Sequence, residues 1–366
     1  MLLNIEQKIL PRRMRFVSTK TGNNARDLIS ISKAGGTTIK ASAPGRAGII
    51  GNPTDMYGGS VISCTIAERA SCDLSLSDNL AIRMGDEILA ITDRDSLTLD
   101  RGKFDIAKAA FQVFEIDPAA DKFTLTFSTD IPEQAGLAGS TALLVSIVGC
   151  LTAYLGIELN SYEFAETVRK IEAEVMKITC GYQDHYMTTF GGLNYMDFRN
   201  KESLGQAWDE PFATIEPLSD AVKELPMILA HTGVKRCSDT VHKGLRERWV
   251  EGEKAVVEGY RRITEIGRLG KKALLAQDWK QLGMLMNENH AIQRDLGGSG
   301  ESNEALIKAA LDHGAWGAKL AGAGQGGTII ALTPDPNGTA KLLLDIGAER
   351  ILKLQPTDGL LVEREW

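Results

Sequence analysis

No stretch of the chain approaches the about 18 consecutive apolar residues that a membrane-spanning helix needs. The opening Met1-Leu-Leu-Asn-Ile-Glu6 lacks the basic-then-apolar pattern of a secretory signal. A cytoplasmic protein with no membrane partner is the expectation. Cysteine is scarce: Cys64, Cys72, Cys150, Cys180 and Cys237 are scattered, odd in number and without a C-x-x-C pair. That excludes a disulfide framework and predicts reduced thiols. G-x-x-x-x-G-K-[ST] does not occur, so a P-loop nucleotide site is not indicated. One G-x-G-x-x-G is present (Gly322, Gly324, Gly327), but β-branched Thr328-Ile-Ile330 follows and Pro334 closes the run. The dinucleotide fingerprint has to open a helix, and this one feeds a strand.

What remains is an ordinary soluble composition, 43% hydrophobic and 24% charged. A chain of 366 residues is long for a single core, so two domains are expected. Charge is unevenly spread. Residues 1–40 hold eight basic side chains against Glu6 and Asp27, a net of +6, which leaves −13 for the rest of a chain whose total is −7. A basic arm can signal nucleic acid, but no aromatic interleaving or binding motif accompanies it. A solvated extension, or a strand added to the first domain, fits better, and no nucleic-acid partner is expected.

Pro132-Glu-Gln-Ala-Gly-Leu-Ala-Gly-Ser-Thr-Ala142 is the most informative segment. It links the alternating, strand-like Thr124–Ser128 to the apolar run Ala142–Tyr154, which ends before Gly156, a predicted C-cap. A strand therefore feeds a glycine turn with hydroxyls at a helix start. Unpaired amides and the positive end of the helix dipole favour a phosphate there, and Ser140 or Thr141 can reach a metal ion. An ordinary Ser/Thr cap after a glycine turn fits the same letters. Two further glycine segments weigh on the choice. In Ala43–Gly59, Arg46 and Asp55 stand among turn formers on either side of a short apolar strand-like piece. Lys319–Gly327 reads as a loop leading into a strand.

With these three segments the chain resembles the GHMP kinases, the family of galactokinases and of homoserine, mevalonate and phosphomevalonate kinases. Its three marks, P-G-R-x(4)-G with a nearby Asp, a P-x-x-x-G-L-(x)-S-S-A phosphate loop and a C-terminal G-A-G-x-G-G, appear in order at Pro44–Asp55, Pro132–Ala142 and Gly322–Gly327. The likeness spans about residues 41 to 334. Two departures are Thr141 in place of the second Ser, and Ala138-Gly139, which makes the loop one residue longer than in galactokinases. The resemblance implies an α+β fold in the two-domain GHMP kinase architecture. Its N-terminal domain would be ribosomal protein S5 domain 2-like and its C-terminal domain ferredoxin-like. The expected division is a basic extension at 1–40, an N-terminal kinase domain at 41–220 and a C-terminal kinase domain at 221–366, with the active site between the last two.

The resemblance also assigns candidate roles. ATP with Mg2+ is the implied cofactor, held at Pro132, Ala135, Gly136, Leu137, Ala138, Gly139, Ser140 and Thr141, with Gly324 from the C-terminal motif. Asp184, flanked by Gly181, Gly191 and Gly192, stands where galactokinases and mevalonate kinases carry their base. A carboxylate within hydrogen-bond reach of an alcohol can take its proton as it attacks phosphorus, although an Asp beside a glycine also suits a helix cap. Arg46 is expected to bridge the γ-phosphate and Asp184. Glu172 lies twelve residues before Asp184, where galactokinases have a Mg2+-binding acid, with Thr141 and Ser140 completing the metal set. Glu174 competes with Glu172 for that role.

Acceptor identity is read at Gly51-Asn-Pro-Thr-Asp-Met-Tyr-Gly-Gly59. Galactokinases have G-E-H-T-D-x-x-G-G there. Asp55 is kept, while Asn52 and Pro53 replace the acid and the imidazole, which disfavours galactose. G-N-P-[ST]-D resembles plant glucuronokinases instead. So do I-P-x-x-[AT]-G-L-[AS]-G-S-[ST]-A, G-[YL]-Q-D, Phe190–Phe198 and Val241–Trp249. A sugar acid phosphorylated at its anomeric hydroxyl is therefore the implied acceptor, met by Asn52, Asp55, Tyr57, Asp184 and Gly322. Lys235, Arg236, His242, Arg246 and Arg248 are candidates for pairing with its carboxylate. His185, His231, His290 and His313 lack H-x-x-x-H spacing and read as structural or peripheral, with His185 set apart by its place beside Asp184. Alternatives are a kinase of another sugar or hydroxy acid (heptose, galactose, mevalonate) and a silent nucleotide- and sugar-binding sensor. A monomer and a homodimer are both compatible with the sequence.

Overall fold

The computed structural model describes residues 38–365 except 202–210, 235–237 and 323. Residues 1–37 of the basic extension, and Lys235 and Arg236, lie outside the described residues. The chain builds two sheets. The first starts with two long antiparallel strands, β1 (Thr38–Ile50) and β2 (Ser60–Leu76), whose register shifts between Pro44 and Arg46 and again between Gly48 and Ile50. Proline has no N–H for the ladder, and a bulge absorbs it. Arg46 therefore lies inside a strand rather than in the turn read from Pro-Gly. The short strands β3 (Ala81–Met84) and β4 (Glu87–Ala90) follow, then α1 (Asp105–Val113) and β5 (Phe123–Thr129).

Helix α2 (Gly139–Leu155) buries most of its length and ends on Gly156 in the left-handed region, as the C-cap reading expected. It is apolar all round, the mark of a helix with protein on every side. α3 (Ser161–Lys170) opens on a capping box from Asn160 and Glu163, and runs into a π-helical turn, Ile171–Val175. Then come α4 (Gln183–Phe190), β6 (Leu193–Asp197) and β7 (Thr214–Pro217). β7 pairs with β6 and adds a strand to the first sheet. β8 (Met227–His231) begins the second sheet. α5 (Ser238–Val250), α6 (Lys254–Leu275), α7 (Trp279–Asp295), α8 (Glu301–Asp312), β9 (Gly317–Leu320), β10 (Thr328–Leu332), α9 (Pro336–Asp345), β11 (Arg350–Leu352) and β12 (Leu361–Glu365) complete the chain.

The first sheet runs β12-β1-β2-β5-β3-β4, with β6 on the other half of β2 and β7 outside it; the second runs β11-β8-β10-β9. The pairings are antiparallel except β3 with β5. β12 returns from the second sheet's end of the chain to pair with β1. The largest core lies between the first sheet and α1 and α2, with Ile49, Ile62, Phe111, Leu125, Val145 and Leu151 all at 1% exposure or less. It continues through Ile266, Leu285 and Ile330 to one face of the second sheet, whose other face packs on α8 and α9 through Leu306, Ile307 and Leu343. Helices lie to the sides of largely antiparallel sheets, which makes the fold α+β.

Candidate active site

Arg46 joins three separate pieces of chain. Its backbone N–H donates to Leu137 O at 3.0 Å and its Nη1 to Gly136 O at 2.8 Å. Nε and Nη2 both donate to Asp184 Oδ1, at 2.7 and 2.5 Å. The guanidinium is 5% exposed and the Asp184 side chain 29%. A buried fork thus fixes the carboxylate by one oxygen, Oδ1. Within the loop that Arg46 grips, Gln134, Gly136 and Ala138 have φ of 53°, 75° and 61°. Left-handed residues at alternate positions turn successive amides to one side, the geometry of an anion nest. Ala138 ends the loop as the N-cap of α2 and gives no side-chain cap. The Ser/Thr cap reading is therefore not realised: Ser140 is exposed in the first turn, and Thr141 is buried behind it.

Thr141 Oγ1 donates to Glu172 Oε2 at 3.3 Å, and His185 Nε2 lies 2.6 Å from the same oxygen. Glu172 is 6% exposed and is the acid that reaches Thr141; Glu174, two residues on, is half-buried. Both acids lie in the π-helical turn, an element found often at functional sites, and of the two Glu172 is the buried one. A hydroxyl and a carboxylate, both hard oxygen donors beside the loop, suit Mg2+. His185 was singled out only for its neighbour; its contact with Glu172 was not foreseen.

Asp184 stands in the first turn of α4, which Asp55 holds. Asp55 Oδ2 accepts from Tyr182 N at 2.7 Å and Gln183 N at 3.0 Å. A Cβ on Gly181 would fall 1.9 Å from that oxygen, so the glycine three residues before Asp184 is required by the carboxylate that caps the helix. One Asp55 oxygen is thereby committed to the helix. The neighbouring Asn52 is fully buried. Its Oδ1 accepts from Lys319 Nζ at 2.7 Å and its backbone O from Asn289 Nδ2 at 3.2 Å, whereas its Nδ2 has no partner. Lys319 also donates to Leu320 O at 2.5 Å. Burial first, and the nearby Arg46 charge second, bring its ammonium down to about 7. Sequence reasoning missed Lys319, because a lysine before a glycine loop carries no signal that it is buried.

Tyr57 packs against Trp249 and Tyr260, with ring centroids 5.0 and 4.6 Å away. With Trp249, Tyr260, Arg261 and Arg268 it lines a cavity of about 480 Å³. The C-terminal glycine loop meets β1, where Gly48 N donates to Ala321 O at 3.0 Å, next to Gly322. Gly324 packs elsewhere: at φ 96°, a Cβ on it would lie 1.6 Å from Gly298 O. Arg248 forks onto Glu253 and donates to Leu296 O, so it is engaged at a helix junction and not offered to a carboxylate pocket. Arg246 is half-buried. His231 and His290 are tied to Gly327 O and Glu304, consistent with structural roles.

Comparison with known proteins bears on the family and the fold. The GHMP kinases N terminal domain matches residues 105–192, and the GHMP kinases C terminal domain matches residues 271–348. Glucuronokinase 1 of Arabidopsis thaliana is 28% identical over 85% of this chain and 89% of its own length. The D-glycero-alpha-D-manno-heptose 7-phosphate kinase of Campylobacter jejuni is 27% identical, over 86% and 94% respectively. The galactokinase of Lactococcus lactis, solved with galactose, superposes with a TM-score of 0.73 at 18% identity, covering 88% of this chain and 95% of that one. At that identity the superposition speaks for the fold alone.

Proposed function

This chain belongs to the GHMP kinases and is a phosphotransferase with an alcohol acceptor; from that premise we propose that it phosphorylates the anomeric hydroxyl of a glucuronate-like sugar acid, using Mg2+ and ATP. The observation that carries the reading is Arg46, whose guanidinium spans the Gly136 carbonyl and Asp184 Oδ1. A buried cation between a phosphate loop and a carboxylate is what phosphoryl transfer requires, since positioning and charge neutralisation dominate that reaction.

Bound Mg·ATP supplies the transferable phosphoryl group. The amides of Ala135–Gly139 would hold its phosphates, and Thr141 Oγ1 and Glu172 would hold the metal, with Ser140 at the exposed edge of the same turn. Asp184 Oδ2 takes the proton of the attacking hydroxyl while Oδ1 stays on Arg46. Arg46 then stabilises the negative charge that gathers on the transferring group. Asp55 Oδ1, Asn52 Nδ2 and Tyr57 orient the acceptor, with Gly322 giving close backbone approach. Asn52 in place of a galactokinase glutamate removes an anion that would repel a substrate carboxylate. The reading puts the reaction at the seam of the expected units, 41–220 and 221–366, although β12 of the second pairs with β1 of the first.

The heptose kinase relative supports a second reading, a neutral or phosphorylated sugar as acceptor. A phosphorylation screen of paired acid and neutral sugars, with product regiochemistry by NMR, separates the two. One charge-assisted hydrogen bond is worth about 1.5–3 kcal/mol, so kcat/KM for glucuronate should exceed that for glucose by roughly 10- to 150-fold. Equal turnover of both would refute the carboxylate pocket. ATP hydrolysis unchanged by every acceptor would point to the sensor alternative instead.

A further inference from the structure

Glu172, the acid of the proposed Mg2+ shell, stands in a donor set that magnesium does not use. One of its carboxylate oxygens, a ring nitrogen of His185 and Cys180 Sγ all lie within 4.8 Å of one another. They come from the π-helical turn, the link to α4 and the first turn of α4, so a single ion would tie all three pieces together. Mg2+ selects hard oxygens and keeps its water, whereas imidazole and thiolate select borderline ions such as Zn2+ and Co2+. The state of the imidazole points the same way. His185 is 1% exposed, its Nε2 faces Glu172 at 2.6 Å, and its Nδ1 is buried without a partner. A histidine kept for packing normally satisfies both nitrogens. Here the ring's one polar contact is with the carboxylate of the cluster.

We propose that Glu172, His185 and Cys180 form a second divalent-cation site that overlaps the Mg2+ site and takes Zn2+ or another borderline ion of its class. Three protein donors with one open position is a common zinc arrangement, and Thr141 Oγ1 or water is available for the fourth place. Binding releases the Cys180 proton to solvent, and the His185 proton resides on Nδ1 so that Nε2 offers its lone pair. The consequence for catalysis rests on the kinase reading, because Glu172 serves either ion but not both. Zn2+ is then an inhibitor competitive with Mg2+.

Cobalt is the probe, because its thiolate complexes absorb in the near ultraviolet. Co2+ titrated into the reduced, nucleotide-free full-length chain should produce a thiolate-to-cobalt band that Zn2+ abolishes. Cys180→Ser should lack the band, and His185→Gln should bind Co2+ at least about tenfold more weakly. A wild-type spectrum without the band, or a Cys180→Ser spectrum that keeps it, overturns the proposal. Should the variants misfold, alkylation of the wild type decides: Zn2+ should protect Cys180, and unchanged Cys180 labelling overturns the site. Failure of the kinase reading looks different, since wild-type protein with Mg·ATP would then phosphorylate no acceptor whatever its cobalt spectrum.

Discussion

Both Arg46 donors that reach Asp184 fall on the same oxygen, Oδ1, and this asymmetry makes the carboxylate usable as a base. A shared Oδ1 fixes the side chain, while Oδ2 keeps its lone pairs for a proton. Asp184→Asn should keep the fold and a similar nucleotide affinity but lower kcat by about 10²–10⁴-fold, the range for a lost general base. Steady-state kinetics with nucleotide titration check this, and an unchanged kcat in folded protein removes Asp184 from the mechanism. These residues were legible because motif and chemistry coincide: a Pro-Gly-Arg, a Gly-flanked Asp and a hydroxyl pair at a helix start. Lys319, His185 and Asn289 were not, since their importance lies in burial against partners 267, 13 and 238 residues away. Nothing local in the sequence records such pairings.

At the scale of elements, the start of α2 and the start of α4 are built oppositely. α4 has its first amides taken by Asp55, whereas α2 has no side-chain cap at all. An uncapped first turn behind an anion nest is left for a ligand; a capped one serves to aim Asp184. Thr141→Ala should therefore raise the Mg2+ concentration needed for half-maximal rate. A capping Thr would instead lose about 1 kcal/mol of stability with normal metal dependence. Rate against Mg2+ set beside the melting temperature distinguishes them. Asp55→Ala should do the reverse, losing about 1.5–3 kcal/mol with each bond to the charged cap and lowering kcat through a disordered α4 start; an unaltered melting temperature would refute the capping role. Element boundaries were less legible than elements. In sequence two long amphipathic patterns, 243–268 and 270–286, part at Gly270, yet Gly270 lies inside α6, at a close approach where a Cβ would meet Ile50 at 2.9 Å. The breaks fall instead at Gly252, φ 77°, between α5 and α6, and at 276–278, between α6 and α7. Both glycines look alike in sequence, and only the neighbour across the interface tells packing from termination.

Across the whole molecule, the two sheets are tied through buried polar groups beside the active site. Lys319 from the end of β9 holds Asn52, Asn289 from α7 holds Gly51 and Asn52, and Gly48 in β1 donates to Ala321. Lys319 is the costly member, a fully buried ammonium held by an amide and a backbone carbonyl. Its folded value of about 7 lies below the ordinary 10.5. Below pH 7 folded and unfolded chains both carry the proton; between about 7 and 10.5 the unfolded chain alone binds it. Stability contributed at this position therefore rises with pH across that window, and the burden is greatest in its acid half. One proton corresponds to a slope of at most about 1.4 kcal/mol per pH unit. Other groups titrate over the same range, so the informative quantity is the difference between wild type and Lys319→Met, measured by denaturant unfolding at pH 7, 8 and 9. That difference should move in favour of the wild type as pH rises. Parallel stability curves would mean that the lysine keeps its charge in the folded protein, and that Asn52 and its surroundings stabilise the ammonium far better than burial alone allows.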